Sequence, residues 1–173
     1  MTDAVATDGP PPPDARGVGV SDRFQRTAVP VLPTILFADA SEDYRAMARD
    51  ALLEGRNVTD MRTVASGEEL LDYLRQTGAT EGAVRPVPSL IVVDAALPGA
   101  DALAALQKEP ETRRIPVIVL GATDDPEAVT AAYDAGANTY IVKPVTFLAL
   151  VRLMKVFTAY WLETAELPAS RAD

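Results

Sequence analysis

Neither cysteine nor histidine occurs among the 173 residues of the chain. The first absence removes disulfides, thiolate metal sites and cysteine nucleophiles. The second removes imidazole bases, the usual zinc ligands and any phosphohistidine relay within the chain. Most hydrolase chemistries are excluded with them. A surplus of positive charge is also lacking: 16 Lys and Arg stand against 25 Asp and Glu, a net charge of −9. That balance argues against a nucleic-acid footprint or a polybasic membrane surface, and its simplest reading is a solvated exterior. No apolar run approaches the roughly 18 residues a spanning helix needs. The N-terminus has no basic segment followed by an apolar one, so a cytoplasmic protein is expected.

The length suits one domain with an appendage. Residues 1–33 hold six of the 14 prolines, Gly9, Gly17, Gly19 and a single aromatic, Phe24. Such a segment cannot bury a core and is expected to be disordered or loosely attached. From Thr34 onward, short apolar runs alternate with amphipathic stretches, the signature of a parallel sheet covered by helices. The domain is expected over residues 34–163, with 164–173 as a tail.

Five runs read as strands: Ile35–Ala38, Met61–Val64, Leu90–Val93, Val117–Leu120 and Tyr140–Val142. Four are nearly continuous in large apolar residues, as buried parallel strands should be; the second is more polar and suits an edge. Ser41 can cap a first helix whose positions Tyr44, Met47, Ala48, Ala51 and Leu52 follow helical spacing, with Gly55 at its end. Ser66-Gly-Glu-Glu69 is a capping box for a second helix, with Gly78 as its stop. A third covers Asp101–Lys108. A fourth begins at Asp125-Pro126 and ends at Gly136, and a fifth runs from about Thr146 to Glu163.

A right-handed (βα)₅ unit is expected to be an α/β, doubly wound, flavodoxin-like sheet in the order 2-1-3-4-5, helices 1 and 5 on one face and 2, 3 and 4 on the other. Its ligand crevice lies outside the C-terminal strand ends. The residues expected there are Asp39, Asp94, Gly121 and Lys143: two carboxylates, an ammonium and a position without a side chain. Such a set suits a hard cation and a phosphoryl group.

Four segments carry a family resemblance: Thr34-Ile-Leu-Phe-Ala-Asp-Ala-Ser41, Leu90-Ile-Val-Val-Asp-Ala-Ala-Leu-Pro98, Ile115-Pro-Val-Ile-Val-Leu120 and Gly136-Ala-Asn-Thr-Tyr-Ile-Val-Lys-Pro144. In this order and spacing the chain resembles the receiver domain of bacterial response regulators over about residues 34–163. The stretch Thr158-Ala-Tyr-Trp-Leu-Glu-Thr-Ala-Glu-Leu-Pro168 is similar to the C-terminal extension of single-domain regulators that accompany bacterial and cyanobacterial phytochromes. The resemblance implies that Asp94 is the phosphoacceptor, a carboxylate nucleophile served by a partner kinase's histidine. It implies that Lys143 pairs with Asp94 or with the phosphoryl oxygens. Asp39, Asp94 and the backbone carbonyl of Ala96 would hold Mg²⁺, and Tyr140 would be the aromatic that changes rotamer.

Two departures touch this chemistry. Ala40 stands at the second acidic position of the first motif, normally a direct metal ligand. Gly121 stands where the family has a Ser or Thr whose hydroxyl bonds the phosphoryl group. A hydrogen bond to a charged group is worth about 1.5–3 kcal/mol, so losing it together with a metal ligand should weaken both phosphorylation and its readout. The helix 3 loop also has Ala102 where glycine is usual. Blander readings exist beside these: Asp94 as the cap of a turn, Asp39 as a cap competing with Ser41, Thr123 as part of the cap region before Asp125, and Tyr140 as a packing residue without a partner at position 121.

The expectation is a non-enzymatic signalling module, at most autophosphatase, whose output comes through protein–protein contact, because only about ten residues follow helix 5. Its partner would be a histidine kinase or bacteriophytochrome. A pseudo-receiver with weak Mg²⁺ binding and impaired phosphorylation at Asp94 is expected; the alternative is a receiver phosphorylated in the ordinary way. A small flavodoxin-like enzyme or flavin carrier is the remote alternative, disfavoured because no Gly-rich phosphate loop follows the first strand. Helix 5 bears one apolar stripe, Phe147, Leu150, Val151, Met154, Thr158 and Trp161, that suits the sheet. A second, Ala149, Leu153, Val156 and Tyr160, widens the arc beyond that of an ordinary surface helix. Helix 1 or a second copy of the chain must cover it, and a homodimer through helices 4 and 5 and the C-terminal extension, using Leu153, Val156 and Tyr160, is expected.

Overall fold

The computed structural model describes residues 32–56, 59–77, 85–97 and 101–167. The expectations for residues 1–31, for Gly78 as a helix stop and for most of the tail fall outside these residues. Five strands form one sheet: β1 (Thr34–Ala38), β2 (Asp60–Val64), β3 (Leu90–Asp94), β4 (Val117–Gly121) and β5 (Thr139–Val142). All neighbours pair in parallel in the order β2-β1-β3-β4-β5. Each consecutive pair of strands is therefore joined by a crossover helix, and the chain reverses its direction of growth at β1 and β3, which opens a crevice at their C-terminal ends.

Alternation along the strands divides the interior in two. Ile35, Phe37, Leu90, Val92, Ile118 and Leu120 pack against Ala48, Ala51 and Leu52 of α1 (Glu42–Glu54) and Leu150, Val151, Met154 and Phe157 of α5 (Phe147–Phe157). Leu36, Ala38, Ile91, Val93, Val117 and Val119 face α2 (Gly67–Arg75) and α3 (Asp101–Lys108) through Leu70, Tyr73, Leu74, Ala102 and Leu106. Full burial of one such Leu or Phe side chain contributes about 1.5–3 kcal/mol. α4 (Pro126–Asp134) has no buried residue and touches the second layer through a half-buried Ala132.

Caps set the helix starts. Ser41 Oγ accepts from Tyr44 N at 3.2 Å, and Ser66 Oγ accepts from Glu69 N at 3.2 Å. Glu69 returns a carboxylate oxygen to Ala65 N at 2.7 Å, one residue before the cap, so the box closes a little wider than its simplest form. Gly136 ends the turn after α4 with φ of +102°, where a Cβ would also press on the Gln107 side chain.

Helix 5 departs from the expected single α-helix to Glu163. After Phe157 the backbone widens into a π-helical stretch, η1 (Thr158–Thr164). The Thr158 hydroxyl donates back to the Met154 and Lys155 carbonyls at 3.0 and 3.1 Å, and Thr164 donates to the Ala159 carbonyl at 2.6 Å. Two hydroxyls competing for helix carbonyls favour the widened turn, while Trp161 and Leu162 still pack against the core. The stripes also divide differently from expectation. Phe147 is left exposed at 44%, whereas Leu153 is partly covered by the core shared with α1. Only Val156 and Tyr160 of the second stripe stay open, at 62% and 55% exposure.

Candidate functional site

Asp39 follows β1, Asp94 is the last residue of β3, and Lys143 follows β5. The parallel register brings all three to one edge of the sheet. Lys143 Nζ lies 2.6 Å from Asp39 Oδ2 and 2.7 Å from Asp94 Oδ2, so a single ammonium bridges both carboxylates. The two Asp side chains are held in the same way on their other oxygen. Asp39 Oδ1 accepts from Ser41 N at 2.8 Å, and Asp94 Oδ1 accepts from Ala96 N at 3.0 Å. Asp94 thus caps the turn after β3, whereas the cap of α1 is Ser41 and Asp39 only braces the bend before it; Oδ2 of each acid faces the lysine.

Burial grades the pair. Asp39 is 1% exposed, and its Oδ2 has the ammonium beside it but out of line for a hydrogen bond. The charge of this oxygen is compensated while its hydrogen-bonding capacity is not. Lys143 donates a directed hydrogen bond to Asp94 instead. Burial works against the Lys143 charge, but the close contacts to both carboxylates and their attraction outweigh it and raise the lysine above its ordinary value.

A residue that the sequence reading placed only in the helical core completes the site. The Tyr44 ring lies 4.1 Å from Lys143 Nζ, and its hydroxyl donates to the Pro144 carbonyl at 3.0 Å. Burial, then the Asp39 and Asp94 charges, push the Tyr44 phenol well above its usual range, so it stays a neutral donor. Its signal in the sequence was a phenol at the third position after a capping serine, close behind the first acid. Arg45 also contributes, donating from its guanidinium to the Asp39 carbonyl.

The positions that depart from the family pattern lie where expected. Ala40 is exposed in the bend after Asp39, and Ala96 is exposed in the turn after β3. Gly121 ends β4, beside Val142 of β5. Tyr140 has no hydroxyl to meet at position 121, as expected, but it is not left loose. Its ring lies over Gly121 so closely that a Cβ there would sit 1.7 Å from the phenol oxygen. The hydroxyl donates to the Thr123 carbonyl at 2.7 Å. Absence of a side chain at 121 makes the room that Tyr140 fills. The Thr123 hydroxyl accepts from Asp125 N at 3.1 Å, the cap-region role rather than a displaced switch.

A divalent cation fits this donor set only in part. The Asp39 oxygen that lacks a hydrogen bond and the Asp94 carboxylate are hard ligands, but among the described residues no third acid joins them. The ammonium between them leaves the three groups with a net charge of only −1, little to offset the dehydration of Mg²⁺.

Comparison with known proteins agrees with this geometry. The family described as response regulator receiver domain matches residues 13–155. Response regulator Rcp1 of Synechocystis is 30% identical over 139 residues, 79% of this chain and 92% of that one. The crystal structure of response regulator RPA3017, from red light signaling of R. palustris, superposes with a TM-score of 0.72 at 28% identity. It covers 80% of this chain and 99% of that one. The phosphorylated cyanobacterial phytochrome response regulator RcpA gives a TM-score of 0.70 at 31% identity, covering 80% of this chain and all of that one. A structure of Rcp1 is described as Mn²⁺-bound. No helix among the described residues is long and apolar enough to cross a membrane.

Proposed function

The chain belongs to the response regulator receiver family of two-component signalling, and from that premise we propose that it works as an atypical receiver, a docking module whose phosphoacceptor site is held in a self-neutralised state. The observation that carries this reading is the Lys143 ammonium within 2.7 Å of both strand-end carboxylates. A second support is the Tyr140 ring in the space over Gly121 where a phosphoryl-binding hydroxyl would stand. Asp94 remains the acceptor position, Lys143 its charge partner and Asp39 the remaining first-motif acid. Ala96 contributes its carbonyl to a cation that binds weakly because Ala40 supplies no carboxylate.

The partner proposed is a histidine kinase or bacteriophytochrome, in keeping with similarity to phytochrome response regulators. A homodimer through the outer face of α5 and η1 accounts for the open Val156 and Tyr160, with Leu153 at the margin of the contact. Tyr160 meets Trp161 edge-on at 5.0 Å, so the anchor is already ordered by an intramolecular contact.

The test is the intact mass of the protein after incubation with a small acyl or amido phosphodonor and Mg²⁺. A small fraction of singly phosphorylated protein, absent in Asp94→Asn, is expected. Stoichiometric modification of the parent protein on Asp94 would instead establish ordinary phosphorylation, the reading favoured by the intact Asp94–Lys143 pair.

A further inference from the structure

Lys143 is set between two carboxylates, and four contacts linked in a ring keep it there. Asp39 Oδ1 accepts from Ser41 N; Ser41 Oγ accepts from Tyr44 N; the Tyr44 ring underlies the Lys143 ammonium; and that ammonium meets Asp39 Oδ2. The same tyrosine ties down the backbone after the lysine through the Pro144 carbonyl. Its own ring is backed by Phe37, which is buried in the sheet, with centroids 6.2 Å apart and planes at 24°. One side chain of α1 therefore positions both the side chain and the main chain at the start of the β5–α5 turn.

We propose that Tyr44 is a positioning residue that holds the Lys143 ammonium between Asp39 and Asp94 and so sets how strongly a divalent cation can compete for those carboxylates. This inference rests on the self-neutralised site described above. A cation competes for the ammonium's place between the carboxylates. An ammonium against an aromatic face is attracted by the ring's electron density, and every contribution to keeping it in place is a contribution a cation must overcome. Loss of the ring frees Lys143 to swing toward solvent, which its partial exposure allows. The Oδ2 atoms of both carboxylates are then left without the ammonium and open to an incoming cation. A ring–ammonium attraction of the usual size corresponds to roughly a 3- to 30-fold change in cation affinity.

The experiment titrates Mg²⁺ alone into the parent protein, Tyr44→Phe and Tyr44→Leu, following the backbone amide signals of Ser41 and Ala96 by NMR. The Lys143 side-chain proton shifts are recorded in the same samples. The parent should show Lys143 methylene protons displaced upfield by the ring. Tyr44→Phe should keep that displacement and bind Mg²⁺ within about twofold of the parent, whereas Tyr44→Leu should lose it and bind about 3- to 30-fold more tightly. Rescue by Phe separates the ring from the hydroxyl and from packing in general. If Tyr44→Leu fails to fold, Tyr44→Met fills a similar volume without a ring and carries the same expectation. Undisplaced Lys143 protons in the parent, or equal Mg²⁺ affinity with and without the ring, would overturn the assignment. The phosphodonor experiment judges the self-neutralised reading separately, because it needs only the parent protein and Asp94→Asn.

Discussion

Replacing Lys143 with methionine removes the ammonium that bridges Asp39 and Asp94 while keeping most of the side-chain volume. Both carboxylate oxygens lie within 2.7 Å of the ammonium, and the three side chains are 1%, 13% and 21% exposed, so solvent screens them weakly. At an effective dielectric of about 20, two unit charges about 5 Å apart repel by roughly 3 kcal/mol. Breaking a buried pair by removing one partner typically costs about 3–5 kcal/mol. Asp94, the more exposed of the two, can relieve part of this by turning outward; Asp39, buried at 1% exposure, cannot. A net loss of about 2–4 kcal/mol is expected, which lowers the urea midpoint by about 1–2 M for a domain with an m-value of about 2 kcal/mol/M. Adding Asp94→Asn to Lys143→Met removes the repulsion and should recover most of the loss, a coupling that a double-mutant cycle reads directly. Urea unfolding at neutral pH without divalent cations is the assay. An unchanged midpoint in Lys143→Met, or no recovery on adding Asp94→Asn, would refute the account of the site as a charge-balanced triad.

Three other perturbations test neighbouring parts of the argument. Gly121→Ala must expel the Tyr140 ring, since the new Cβ would lie 1.7 Å from the phenol oxygen, and with it the hydrogen bond to Thr123. The expected cost is about 1–2 kcal/mol, read as a lower Tm together with shifted Tyr140 ring signals, and unmoved ring signals would contradict it. The dimer contact predicts that Tyr160→Asp turns a dimeric protein into a folded monomer in light scattering at micromolar concentration; a parent protein that is already monomeric would exclude the contact. Burial raises the Tyr73 phenol above its ordinary value, with its hydroxyl on the Pro86 carbonyl. Its contribution to stability is therefore complete below about pH 10 and falls as the pH rises further, because the unfolded chain releases that proton first. Urea midpoints measured between about pH 8 and pH 12 should decline less steeply in Tyr73→Phe than in the parent, and parallel declines would remove this residue from the account.

The βα alternation, the strand order and the identity of the three charged site residues were legible in the sequence, because each rests on local pattern. Buried parallel strands must be apolar, helices must carry caps and an apolar stripe, and the crossover rule leaves few ways to connect them. Ser41, Ser66 and Asp125 announced their helices through hydroxyl or carboxylate caps that need only neighbours two or three residues away. What the sequence could not decide depends on contacts between distant segments. Tyr44 and Pro144 are 100 residues apart, and only the packing of α1 beside the end of β5 makes a helical core position into one wall of the site. Tyr140 and Gly121 read as a tyrosine without a partner and a lost hydroxyl. In the folded chain β4 and β5 lie side by side, and the missing side chain of one becomes the resting place of the other. The same holds for α5: helical spacing marks which residues are apolar, but the position of α1 determines that Leu153 is partly covered while Val156 and Tyr160 stay open. Local chemistry sets which groups reach the edge of the sheet; the geometry between elements decides which of them are already occupied by one another.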